Sequence, residues 1–192
     1  MLHVRWLILS LALIFLTAAP ASSQSRAFLV YGQAGRMFPI LNLSEAGDDL
    51  SPGRAYGGGL GLQLGPTTAL RATVSISESK HRGPTLDLSD PTTTRAYYGL
   101  DLMLGAPSDA GLAPYLFFGP GRMTVDPAEP GSETVAELAG RMGAGINYVP
   151  DNSFFVLFLE ACGWLYEFEM FGFRKLQFNT SVQGGLVFAI PF

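Results

Sequence analysis

Cysteine, histidine and charge are all scarce in this chain. Cys162 is the only cysteine among 192 residues, so no internal disulfide can form and no metal cluster can be built on it. The histidines are His3 and His81, which leaves His81 as the one candidate for acid–base chemistry beyond the amino-terminal segment. Charged residues make up 15%, against ~25% in an ordinary soluble domain. A net charge of −4 provides no basic footprint, so no nucleic-acid partner is expected. After residue 23 there is no apolar run of the ~20 residues that a membrane-spanning helix needs.

What is abundant is glycine, with 23 residues, and an apolar beginning. Arg5 is followed by the apolar stretch Trp6 to Ala18 and then by small residues, Ala19-Pro20-Ala21 and Ala21-Ser22-Ser23. That order predicts a secretory signal peptide over residues 1–23 and one mature domain over 24–192. The glycine runs Gly57-Gly58-Gly59 and Gly184-Gly185 are followed by no Lys-Ser/Thr and start no helical pattern. A phosphate-binding loop is therefore unsupported, and no cofactor is expected.

The mature chain alternates at period two, the signature of strands with two unlike faces. Tyr56, Gly58, Leu60, Leu62 and Leu64 oppose Gly57, Gly59, Gly61, Gln63 and Gly65. The same alternation runs through Ala69–Ser77, Ala96–Gly105 and Leu138–Tyr148, and in each the apolar face carries no charge. Further strands are expected over Ala27–Arg36, over Tyr115–Val125 with a bulge at Pro120, and over Phe154–Leu165. An eighth starts near Lys175. Connections alternate between long (Met37 to Arg54, Glu78 to Thr94) and tight (Pro66-Thr67-Thr68, Pro150 to Asn152).

The last stretch, Ser181 to Phe192, sets Val182, Gly184, Leu186, Phe188, Ile190 and Phe192 against a smaller, more polar face. A polar residue, then glycine, then spaced apolar and aromatic residues ending in Phe resembles the closing strand of bacterial outer-membrane β-barrels. Gln183, Gly185, Phe188, Ile190 and Phe192 fit that spacing. The resemblance, to the small OmpA- and OmpX-type barrels, implies an all-β fold: an eight-stranded antiparallel up-and-down transmembrane β-barrel in the cell outer membrane. It implies outer-membrane lipid as surroundings, the barrel-assembly machinery as reader of those five residues, and outer loops that can present a surface ligand site. The other architecture considered is a soluble lipocalin-like barrel with an apolar inside.

Five charged residues fall on the expected inner face: Arg71, Asp101, Arg122, Arg141 and Glu160. Eight strands leave an interior that side chains fill, so these are read as a lumenal charge network that fixes register rather than as a pore gate. A turn at Pro150-Asp151 would set Arg141 directly opposite Glu160. His81 lies in Glu78-Ser79-Lys80-His81-Arg82, but Gly83 follows it. The His-x-Ser pattern of barrels that deacylate lipid A is thus missing, and no catalytic residue is expected. Trp164 and Tyr166 are read as part of an aromatic girdle. The functional expectation is a non-enzymatic barrel with a structural or adhesive surface role. A lipid A-modifying enzyme and a narrow pore are the alternatives.

Overall fold

The computed structural model describes residues 26–40, 49–82, 92–105, 111–127, 135–150, 153–170 and 173–192. The expected signal peptide and most of the long connections lie outside these residues. The strands are β1 (Ala27–Pro39), β2 (Asp49–Leu50), β3 (Gly53–Gln63), β4 (Thr68–Arg82) and β5 (Thr92–Gly105), followed by β6 (Gly111–Pro127), β7 (Val135–Val149), β8 (Phe155–Met170) and β9 (Phe173–Pro191). Each long strand pairs antiparallel with its neighbour in sequence, and β1 pairs with β9 from Ala27↔Pro191 to Pro39↔Asn179. The wall is thus a closed eight-stranded barrel. The two-residue β2 stands apart from that count and pairs with Arg82 and His81 of β4. Closure leaves no strand edge, so every wall residue with an N–H can hydrogen-bond without water.

Both faces follow from the alternation. Leu60, Val74, Leu100, Leu116, Leu138, Met142 and Leu159 point outward and are more than half exposed. Thr73, Ser75, Asp101, Gln177, Asn179, Ser181 and Gln183 point inward and are buried. Apolar outside and polar inside is the polarity that a hydrocarbon surround selects. It is the reverse of a soluble ligand-binding barrel, which rules out the lipocalin-like alternative.

Strands run further than the alternation alone predicts, mostly at the end away from residues 26 and 192. β4 continues to Arg82 where the sequence pattern stops at Ser77, because polar residues there keep pairing, as in Ser79↔Thr93. The last two strands extend to Met170 and from Phe173 and pair with each other as far as Met170↔Phe173. The end that carries residues 26 and 192 also holds the short connections; we call it the turn end and the other the loop end.

Two registers differ from expectation. Pro120 makes no bulge: Gly99↔Gly121 and Leu102↔Phe118, on either side of it, belong to one register. On its other side Pro120 pairs with Gly140. Parity therefore carries straight through β6, which turns Tyr115, Phe117, Met123 and Val125 inward. The β7–β8 turn is wider than Pro150-Asp151. Ser153 N donates to Pro150 O at 3.3 Å, and the Ser153 hydroxyl bonds the main chain of Phe155. The ladder begins at Tyr148↔Leu157, so Arg141 faces Trp164, and Glu160 faces Gly145. The slip is an even number of residues, and facing is preserved.

Candidate functional site

Four charged side chains meet in the lumen, one from each of β4, β5, β7 and β8. Arg71 and Asp101 are direct cross-strand partners, with Arg71 Nη2 3.4 Å from Asp101 Oδ2. Arg71 also pairs with Glu160. Arg141 pairs with Asp101 and lies 3.0 Å from Glu160 through Nη2 and Oε2. Each cation touches both carboxylates and each carboxylate both cations, so the quartet is a closed, neutral ring. All four side chains are at most 5% exposed. A buried charge is tolerated only when paired and hydrogen-bonded, and further side chains bond to this ring. Tyr31 OH donates to Thr73 Oγ1 at 2.6 Å, and Thr73 donates on to Asp101 at 2.7 Å. Tyr115 OH donates to Glu160 at 2.9 Å.

The aromatic residues of β6 lie across the lumen because β7 offers glycine there. Phe117 is the cross-strand partner of Gly143, and Tyr115 that of Gly145. A Cβ on either glycine would overlap the ring that crosses it. The Phe117 ring then packs against both guanidinium groups, 4.9 Å from Arg71 Cζ and 4.6 Å from Arg141 Cζ. Tyr31 and Trp164 cover Arg71 and Arg141 at 5.0 and 5.7 Å. These are desolvated cation–π contacts of up to about 2 kcal/mol each.

Arg71, Asp101, Arg141 and Glu160 are therefore brought together, and the Arg141–Glu160 contact forms although the two residues are not opposite each other. Arg122 is not part of the ring. With no bulge at Pro120 it points outward, is exposed, and donates to Ala136 O at 3.3 Å. Trp164 and Tyr166 form no girdle: β8 keeps the parity of Glu160, so both are inward, 0% and 3% exposed. Their partners are lumenal, Tyr97 against Trp164 at 6.5 Å and Asn179 Nδ2 donating to Tyr166 OH at 2.8 Å. The sequence reading missed Tyr31, Thr73, Tyr115 and Phe117 as members of the ring. The signal was present, since Thr73 shares the face of Arg71.

Of the expected assembly residues, Gln183 and Gly185 point inward. Gln183 Nε2 donates to Ser181 Oγ at 2.6 Å, and Gly185 faces the Phe158 ring. Phe188, Ile190 and Phe192 point outward and are exposed, and Phe192 stacks on Phe28 with centroids 4.5 Å apart. Among the described residues no group of His, Cys, Asp and Glu is arranged to hold a metal. The His81 side chain lies outside the described residues.

No curated protein matches the chain in sequence. The solved structure of Neisserial surface protein A resembles it over 84% of this chain and 96% of that one, at 13% identity and a TM-score of 0.62. The amino-terminal β-barrel domain of Pseudomonas aeruginosa OprF aligns over 86% of this chain and all of that one, at 18% identity and a TM-score of 0.49. At such identities the first likeness speaks for the fold alone. The family model described as outer membrane protein beta-barrel domain matches residues 8–159, and with the apolar wall and polar lumen it makes this chain a member of that family, a β-barrel of the cell outer membrane.

Proposed function

We propose that the protein is a non-enzymatic surface barrel whose lumen is plugged and whose loop end does the interacting. The observation that carries this reading is the neutral ring of Arg71, Asp101, Arg141 and Glu160, packed with Phe117, Tyr31 and Trp164 across the middle of the barrel. A permeating ion would have to displace paired charges that are already desolvated. The wall then acts as a rigid mount for the connections at the loop end, 40–52, 83–91, 128–134 and 171–172. A structural or adhesive role needs nothing more than that mount.

The same reading takes residues 1–23 as a cleaved signal peptide. It takes Gln183, Gly185, Phe188, Ile190 and Phe192 as the residues read by the barrel-assembly machinery. Mass spectrometry of the mature protein locates the cleavage point. Purified barrel in planar lipid bilayers is expected to give no single-channel steps, and regular steps at rest would sink the plug. A lipid A-modifying enzyme would change the mass spectrum of lipid A between cells with and without the gene. The proposal expects identical spectra.

A further inference from the structure

One cation in the lumen has no counter-charge among the described residues. Arg95, on β5, points inward at the loop end and is 1% exposed. Among the described residues its hydrogen-bond partner is a thioether: Nη1 lies 3.3 Å from Met37 Sδ, across the barrel on β1. Nε and Nη2 are buried and bonded to nothing. No carboxylate pairs with Arg95 among the described residues. The four lumenal charges below it are committed to one another, and Glu137, the other described charge on the inner face at this end, makes no ion pair with it.

The neighbours of Arg95 repeat the imbalance. Ser77 is its direct cross-strand partner, which sets their Cβ atoms ~4.5–5.5 Å apart. Ser79 is the next inward residue on the same strand. Both hydroxyls are buried without a partner. Met37, Ala55 and Val125 are buried at the same end, and Thr93 is the cross-strand partner of Ser79. Two guanidinium nitrogens and two hydroxyls are thus buried without a partner among the described residues, and the acceptor that Arg95 does reach is a sulfur, among the weakest that a protein owns. An uncompensated buried guanidinium is expensive, and a buried polar group left unsatisfied in a folded protein points to an unrecorded ion or water. Water satisfies hydroxyls but leaves the charge, whereas an anion satisfies both.

We propose that Arg95, Ser77 and Ser79 form a binding site for a small oxyanion at the loop end of the lumen, above the neutral ring. The guanidinium supplies charge and two donors, and each serine supplies one more. The ligand class is a compact anion of carboxylate or phosphate type. This site is independent of whether the ring below conducts.

The test uses the whole barrel in a nonionic maltoside micelle, which brings no anion of its own. Urea unfolding is followed by tryptophan emission in sodium formate, sodium phosphate or sodium gluconate at equal ionic strength, gluconate being the bulky reference. Formate or phosphate is expected to raise the unfolding midpoint in a saturable way. At a hundredfold excess over the dissociation constant the folding equilibrium constant rises about 100-fold. Arg95→Met is expected to remove the response and to be at least as stable as the parent in gluconate, since it deletes an unpaired charge. Ser77→Ala with Ser79→Ala keeps the charge and is expected to raise the half-saturating concentration several-fold. Equal parental midpoints in all three salts, or an undiminished response in Arg95→Met, would overturn the site. If Arg95→Met does not fold, the serine pair decides: an unchanged half-saturating concentration overturns it.

Discussion

Neutralising one member of the lumenal ring should be costly, and neutralising two of opposite sign should not be twice as costly. The structure holds two cations and two carboxylates, none more than 5% exposed. Arg141→Met removes one positive charge and leaves Asp101 and Glu160 to share Arg71. Glu160→Leu leaves two guanidinium groups to share Asp101. Each single change strands one buried charge, at about 3–5 kcal/mol. Independent effects would sum to roughly 6–10 kcal/mol. The double change instead leaves the direct pair Arg71–Asp101, which is neutral and already formed. Its loss should not exceed that of one single change, which gives a coupling of about 3 kcal/mol, the upper end for residues in contact. The like-sign pair Arg71→Met with Arg141→Met is the control: both carboxylates lose every cation, so its loss should be additive or worse. Equilibrium urea unfolding in phospholipid vesicles measures the parent, the three single changes and the two doubles. If opposite-sign and like-sign doubles fall on one additive line, charge balance is not what holds the ring, and the reasoning fails.

Three further outcomes follow from the wall. Val74 is outward and 51% exposed, so Val74→Arg should cost roughly 2–4 kcal/mol in the same unfolding assay, and no loss would mean that this face does not meet lipid. Gly145→Ala sets a methyl into the Tyr115 ring, so it should destabilise by about 1–3 kcal/mol and free the Tyr115 hydroxyl from Glu160; a neutral result would mean that the ring does not cross there. Phe192→Ser removes a ring that stacks on Phe28, and folded barrel in outer-membrane fractions should fall, as read from heat-modifiable gel migration; unchanged yield would contradict an assembly role for that residue.

Facing was legible in the sequence; pairing distance was not. Side chains alternate strictly, so Arg71, Asp101, Arg141 and Glu160 declare their face through apolar neighbours such as Leu70, Leu102, Met142 and Leu159. Register depends on turn geometry, and the Ser153 hydrogen bonds widen a turn that two residues appeared to close. Arg122 was misread for a related reason. Proline removes a donor, and the strand can absorb that loss without a bulge, as Pro120 does. Trp164 and Tyr166 carried the right signal, the parity of Glu160, but girdle statistics pulled the other way. Arg95 escaped notice because the alternation of β5 was taken to begin at Ala96. Thr93, Arg95, Tyr97, Gly99 and Asp101 in fact run on one face. Which arginine meets which carboxylate is a matter of barrel closure, and no local pattern encodes it.

The seam between β1 and β9 has a consequence for the order of events in time. Every other wall pairing joins strands that follow one another along the chain, whereas the seam joins Ala27 to Pro191 and Ala34 to Gly184. Loop-closure entropy favours the neighbouring hairpins first, since contacts of long sequence separation are slow to form. The cylinder is therefore sealed by its most distant strands, and until that moment β1 and β9 are two bare edges. A disulfide engineered across Ala34–Gly184 should form later in folding than one across Ala144–Ala161, and the reverse order would refute this. Whatever shepherds the unfinished barrel has one gap to guard, and it lies at the same place in every molecule.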